Sequence, residues 1–94
     1  MVSVYCKWAY EIGRKLCLTA DENFEEALNE ARQKDIELKK AKQNGKLEDL
    51  PILHGIPFSV KEQIDLKDTR STLGTASYVD RDVNEDAHAV KILR

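Results

Sequence analysis

The sequence predicts a mixed fold of two helices, a strand that ends in a lysine, a loop and a further helix. Apolar residues recur every three or four positions in residues 3–18 and again from residue 24, which is typical of amphipathic helices. Apolar and polar residues alternate from Ile56 to Lys61, which is typical of a strand with one apolar face. Helical spacing returns after residue 86.

The composition bounds the class of protein. The 94 residues suit one small domain or a piece of a larger one. Charged residues make up 34% and hydrophobic residues 41%, which is too apolar for a disordered chain. The net charge is -2 and no basic stripe stands out, so we expect no nucleic-acid partner.

The cysteines favour a reducing compartment. Cys6 and Cys17 lie eleven positions apart in the first predicted helix, a separation of about 16 Å along its axis. A disulfide needs Cα atoms within about 7 Å, so we expect free thiols and an intracellular protein, cytoplasmic or peripheral to membranes. His54 and His88 are isolated, so we expect neither a zinc site nor a cofactor.

The first helix is predicted over residues 3–18, and we treat it as separate from the remainder, residues 19–94. We expect its apolar stripe to pack on the rest of the protein. The alternative is a peripheral membrane contact, since basic residues flank aromatic ones. No stretch approaches the length of a membrane span. The stripe consists of Tyr5, Trp8, Ile12 and Leu16, and the basic residues are Lys7, Arg14 and Lys15.

A second helix follows a predicted capping box, with Thr19 as the N-cap and Glu22 three residues later. Asn44-Gly45 is a natural stop, because glycine tolerates the left-handed conformation at a helix end. Residues 39–49 are polar and are predicted to be a loop or a fraying helix end that serves as a linker. The apolar stripe of the helix is predicted at Phe24, Ala27, Leu28 and Ala31, with Asp35 extending the same side.

Turn-forming residues punctuate the chain after Leu50. Pro57 predicts that the strand begins there or lies at an edge. We expect a turn near Lys67-Asp68, a loop over residues 71–77, and a last helix capped by Asn84 or Asp86. The apolar residues of that helix are Ala87, Val90 and Leu93, and no stop signal follows them, which suggests a truncated chain.

Lys61 is the one candidate for a catalytic residue in this sequence. A lysine acts as a base only when it is neutral, so its pKa of about 10.4 has to fall, which burial or a nearby cation achieves. The apolar run from Ile56 to Val60 is predicted to desolvate it.

The residues around Lys61 resemble the segment that carries the catalytic lysine in the amidase signature family. The resemblance extends from about Asn23 to Arg94, although Asp68 stands where that family often has glycine. The Lys-Glu pair and the Ser-Thr-Leu-Gly run look more like the fatty acid amide hydrolase branch than the bacterial amidotransferase subunits. The resembling stretches are Leu53-His54-Gly55-Ile56-Pro57-Phe58-Ser59-Val60-Lys61-Glu62, Ser71-Thr72-Leu73-Gly74-Thr75-Ala76-Ser77, the spaced residues Asp86, Ala87, Val90 and Leu93, and upstream Asn23, Ala27, Ala31 and Asp35.

The resemblance implies an α/β fold with a mixed sheet covered by helices, and a Ser–cisSer–Lys triad that hydrolyses the carbon–nitrogen bond of an amide or the carbon–oxygen bond of an ester. Only the lysine, Lys61, maps onto this chain, because nothing here matches Gly-Gly-Ser-Ser-Gly-Gly. We expect Ser59, Ser71 and Ser77 to bond to nearby backbone, and His54 to be structural.

Three functions remain open at this point. The chain is the opening part of an amidase, a truncated non-catalytic relative, or a helical interaction module. The oligomeric state is open in each case. A lone strand needs neighbours for its backbone groups, so we expect the isolated chain to expose apolar surface and to be aggregation-prone or partly unfolded.

Overall fold

The computed structural model describes all 94 residues, which form two compact units, Met1–Pro57 and Phe58–Arg94. The first unit contains two helices, and the second contains mostly turns and one short helix. None of the helices combines the length and the apolar character that a membrane span requires. That residues 1–18 form a segment distinct from residues 19–94 stays a prediction.

Helix α1 spans Val2–Trp8 and continues as a π-helical turn over Ala9–Gly13, so the helical region ends earlier than predicted. The predicted apolar stripe does not pack within the chain, because Tyr5 and Trp8 are 52% and 54% exposed. The residues that lose exposure lie on a neighbouring face, and α1 contacts the second helix of this unit. They are small or slender, which permits a close approach: Val2, Cys6, Ala9 and Gly13.

Helix α2 spans Phe24–Gln43, and its apolar stripe is half-buried as predicted. Asp35 is exposed, and Lys34 takes the corresponding half-buried place. The predicted stop is confirmed. Asn44 follows the last helical residue, and Gly45 then adopts a φ of 66°, in the region where glycine is favoured.

The predicted capping box is wrong. The residue before α2 is Asn23, which makes no side-chain capping bond. The hydroxyl of Thr19 donates instead to Glu22 Oε1 at 2.8 Å, and Arg14 Nε donates to both carboxylate oxygens of Glu22 at 3.0 and 2.9 Å. Because α2 begins at Phe24, Glu22 precedes the helix and cannot occupy the third helical position that a capping box requires.

The predicted strand over residues 56–60 does not form, so the chain shows helices and turns rather than an α/β arrangement. The one β-type pairing is an isolated antiparallel bridge between Arg70 and Asp82. A strand is defined by hydrogen bonds to a neighbouring strand, and the one backbone hydrogen bond of residues 56–60, from the N–H of Ile56 to the Leu53 carbonyl, closes a turn. The alternating pattern therefore describes a segment whose partner strands these 94 residues do not supply.

The second unit is organised around Val83 and Val90, which are 7% and 2% exposed. Val90 lies on helix α3, which spans His88–Leu93, so the last predicted helix is confirmed. Its predicted cap is wrong, since Ala87 precedes the helix. The carboxylate of Asp86 instead accepts a hydrogen bond from the Lys67 backbone at 2.7 Å.

The turn predicted near Lys67-Asp68 is confirmed, with Asp68 at a φ of 62°. The backbone N–H of Asp68 donates to the Val83 carbonyl at 3.0 Å. This turn therefore brings the segment after Lys61 against the core of the second unit.

Candidate active site

Lys61 lies in the second unit with an exposed side chain, and its ammonium has no hydrogen-bond or ion-pair partner in the chain. The predicted desolvation of this lysine by residues 56–60 is not found, since that segment packs into no sheet. The amino group is therefore available for contact with a group from outside the chain.

The backbone on the carboxyl side of Lys61 is held at two successive carbonyls. The Lys61 carbonyl accepts a hydrogen bond from the N–H of Ile64 at 2.8 Å, which closes a turn. The Glu62 carbonyl accepts a hydrogen bond from the Ser71 hydroxyl at 2.9 Å. Ser71 is 1% exposed and is the most buried side chain of the protein, so this second contact is shielded from water.

The Glu62 carboxylate binds the residues that follow Ser71. Oε1 accepts hydrogen bonds from both the backbone N–H and the hydroxyl of Thr72, the latter at 2.7 Å. The N–H of Leu73 lies 3.0 Å from Oε1 and from Oε2. Hydrogen bonds to an ionised carboxylate are stronger than those between neutral groups, so this side chain fixes residues 71–74, which we call the Thr72 loop.

The backbone of the Thr72 loop explains why its N–H groups converge on one carboxylate. Leu73 and Gly74 have φ values of 54° and 67°, both in the left-handed region. A turn of this kind directs successive N–H groups toward one point and creates an anion-binding concavity. Leucine rarely adopts this conformation, so the contact with Glu62 compensates for backbone strain at Leu73.

These contacts lower the pKa of Glu62. The hydroxyl of Thr72 has the largest effect, partial burial opposes it, and the N–H groups of Thr72 and Leu73 lower the pKa further. The charge of Arg81 acts in the same direction. The carboxylate is therefore ionised at neutral pH.

Arg81 connects the Thr72 loop with the segment after Lys61. Its Nη2 donates to Asp65 Oδ2 at 2.9 Å, and its Nη1 donates to the Ser71 carbonyl at 3.4 Å. The Asp65 carbonyl also accepts a hydrogen bond from the N–H of Ala87 at 2.8 Å, just before α3. The surroundings of Lys61 are thus held by polar contacts rather than by a sheet.

The serines differ in their placement. Ser71 binds backbone as predicted, because its hydroxyl donates to the Glu62 carbonyl. Ser59 and Ser77 are exposed. No serine of the chain is brought to Lys61 by a hydrogen bond, so the structure assembles no serine–lysine pair.

His54 has a structural place in the first unit, as predicted. Its Nε2 lies 3.0 Å from the Lys34 carbonyl, and its Nδ1 lies 3.8 Å from Glu37 Oε2. The side chain is 9% exposed. The imidazole therefore attaches the turn before Gly55 to helix α2.

The family model described as Amidase matches the whole chain, residues 1–94. The chain belongs to the amidase family. No curated protein and no solved structure matches it. Amidases act on carbon–nitrogen bonds.

Sequence reasoning missed the contact between Glu62 and Thr72 in this amidase chain, and the catalytic role of Lys61 stays a prediction. Glu62 and Thr72 are ten positions apart, and no periodic pattern connects them. The signal that the sequence offered was the run Thr72-Leu73-Gly74, in which a glycine lies two positions after a threonine. A glycine at that place permits a turn whose N–H groups face an anion.

Proposed function

We propose that this chain supplies the general base, Lys61, to an amidase-family hydrolase that cleaves amide bonds, with fatty acid amides as the substrate class. The observation that carries the proposal is the family match over all 94 residues, together with the lysine segment on which the resemblance rests. The unpaired ammonium of Lys61, on a backbone held at two carbonyls, suits a group that acts on an incoming partner.

The proposed chemistry is acyl transfer to a serine. In its neutral form, Lys61 accepts a proton through a bridging serine, and the second serine attacks the amide carbonyl. The amine leaves with a proton, and water then hydrolyses the acyl-enzyme. The 94 residues contain no Gly-Gly-Ser-Ser-Gly-Gly stretch, so the two serines have to come from polypeptide outside this sequence. We expect the 94-residue chain alone to be inactive.

The test replaces Lys61 in the active native protein. Lys61→Ala is expected to lower the rate of amide hydrolysis by about 100-fold to 10,000-fold, because a general base contributes in this range. Lys67→Ala is the matched control, since Lys67 is also exposed and lies six positions away. Its activity should stay unchanged. Comparing a long-chain fatty acid amide with a short-chain amide tests the substrate class.

The outcome against the proposal is full hydrolysis by the Lys61→Ala protein with an unchanged circular dichroism spectrum. The mass of the native protein, detected with an antibody against residues 39–49, tells which polypeptide to assay. A band well above 10.7 kDa means that the serines belong to the same polypeptide. A band near 10.7 kDa means that another polypeptide has to supply them.

A second candidate is a non-catalytic amidase-like chain. The observation that favours it is that Lys61 is the only triad member in the 94 residues. A native mass near 10.7 kDa, combined with no hydrolysis in any complex that contains the chain, would support this candidate.

A further inference from the structure

We propose that Glu62 is a positioning residue for Lys61, and that it acts by binding the Thr72 loop through its carboxylate. This inference rests on the proposed function of Lys61 as the base. It extends that function by assigning a role to the residue that follows the lysine.

The first step is the number of contacts that a single side chain makes. The carboxylate of Glu62 accepts hydrogen bonds from the hydroxyl of Thr72 and from the N–H groups of Thr72 and Leu73. The backbone carbonyl of Glu62 accepts a hydrogen bond from the hydroxyl of Ser71. Main chain and side chain of Glu62 thus bind the same loop, which leaves residue 62 little freedom to rotate.

The second step is the position of Lys61. It directly precedes Glu62, and its carbonyl is engaged by Ile64. Its ammonium has no partner in the chain, so nothing that the chain contains holds the end of the side chain. The direction in which the side chain of Lys61 leaves the main chain is therefore set by the backbone conformation of residues 61 and 62. The side chain that chiefly fixes this conformation is that of Glu62.

The third step is that the contact with the Thr72 loop depends on the negative charge of Glu62. The groups that face it are all donors: two N–H groups and a hydroxyl, with the cationic Arg81 further away. A glutamine keeps the shape of the side chain but replaces one acceptor oxygen with an amide NH₂. The amide oxygen can take the place of Oε1, but the NH₂ then stands where Oε2 accepts the N–H of Leu73. The charge that strengthens every one of these hydrogen bonds is also lost, so Glu62→Gln weakens the contact without changing the volume.

The experiment uses the active native protein, with Glu62→Gln as the variant and Glu48→Gln as the control. Glu48 is exposed and lies in a different unit. A misplaced catalytic group lowers the rate by about 100-fold, so we expect Glu62→Gln to lower kcat by that factor with KM changed by no more than about twofold. Glu62→Asp, which retains the charge, should restore part of kcat.

Two further readouts separate positioning from general destabilisation. Hydrogen exchange, followed by mass spectrometry, should become faster in peptides that cover residues 59–64 and 71–74 and stay unchanged elsewhere. The pH profile of kcat should also shift in Glu62→Gln, because the base acts from an altered position. A general loss of stability would accelerate exchange throughout the protein and would leave the profile in place.

The outcomes distinguish the two proposals. If Lys61→Ala abolishes hydrolysis and Glu62→Gln keeps a normal kcat, the positioning role is wrong and the proposed function stands. If Lys61→Ala remains active, the proposed function fails and the positioning role fails with it. If exchange in residues 71–74 is unchanged in Glu62→Gln, the contact with the Thr72 loop is not what holds residue 62.

Discussion

The hydroxyl and the backbone N–H of Thr72 both donate to the same carboxylate oxygen of Glu62, ten positions earlier in the chain. This contact brings the two ends of residues 62–72 together. It joins the lysine segment to a turn that contains two successive left-handed residues, Leu73 and Gly74. The segment that follows Lys61 is therefore stabilised by an ionised side chain, so its stability depends on pH.

The first prediction concerns acid. The pKa of Glu62 lies below its ordinary value of 4.5, chiefly because of the hydrogen bond from the Thr72 hydroxyl. A carboxyl with a lowered pKa stabilises the folded state above its ordinary value, and that stabilisation is lost as the pH falls through the lowered value. We expect hydrogen exchange in residues 71–74 to be slow at neutral pH and to accelerate beyond its intrinsic pH dependence below about pH 4.5.

The matched comparison is the difference between the native protein and Glu62→Gln at each pH. It should be largest at neutral pH and should disappear in acid, since protonation makes Glu62 neutral like glutamine. A difference that is independent of pH would show that the charge of Glu62 does not hold the loop. Glu48→Gln should match the native protein at every pH.

The second prediction concerns Asp68, which has a φ of 62°. A side chain in the left-handed region costs free energy that glycine avoids, although aspartate tolerates it better than most residues. Asp68→Gly and Asp68→Ala both remove the carboxylate, so their comparison isolates the backbone effect. We expect the glycine variant to be more stable by about 1 kcal/mol.

Denaturant unfolding of the two variants of the active native protein, monitored by circular dichroism, gives this difference where the transition is cooperative. Equal midpoints would mean that residue 68 leaves the left-handed region when its side chain changes. An alanine variant that is more stable than the glycine variant would contradict the turn geometry.

The sequence identified those features that depend on neighbours along the chain. Helix α2 follows from its spacing, and it ends where Asn44-Gly45 predicted because glycine adopts the left-handed conformation there. The predicted capping box is wrong because α2 begins only at Phe24, after Glu22, and the carboxylate of Glu22 binds Arg14 instead. A contact between residues eight positions apart outside a helix is not apparent from a local pattern.

The prediction of Lys61 as the base rests on the residues around it in the sequence, and the contacts of those residues were not predicted. The alternation of Ile56, Phe58 and Val60 is compatible with a strand, yet a strand forms only when partner strands complete its hydrogen bonds. The contact between Glu62 and Thr72 depends on a turn with two left-handed residues, and leucine at one of those positions gives no signal in the sequence. Both the strand at residues 56–60 and the contact between Glu62 and Thr72 depend on residues distant in the sequence.

The third prediction concerns the outer face of α1. Trp8 is the only tryptophan of the chain, it is 54% exposed, and Tyr5 lies edge-on to it with ring centroids 5.7 Å apart. Residues 1–18 carry three basic residues and one acidic residue, whereas the whole chain has 15 and 17. Such a combination of aromatic and basic residues suits the surface of an anionic bilayer.

Tryptophan fluorescence tests this without a label. Vesicles that contain an anionic lipid should shift the emission of Trp8 to shorter wavelength, and neutral vesicles should shift it less. Ile12→Ser should weaken the effect, whereas Ile52→Ser, at a side chain 97% exposed in another segment, should not. Emission that stays unchanged with both kinds of vesicle would rule out a lipid contact of this face.

The fourth prediction concerns the isolated 94-residue chain. The buried hydrophobic side chains are Val83 and Val90, both in the second unit, whereas Ile56 and Phe58 are 50% and 45% exposed. Burial of apolar surface is the dominant favourable term in folding, so a chain with so few buried apolar side chains has little cooperative stability. We expect a broad thermal transition and association that increases with concentration. A sharp transition of a monomer would contradict this expectation. It would mean that the two valines and the polar contacts of Glu62 are sufficient to hold the second unit, so that the Thr72 loop forms before any further polypeptide binds.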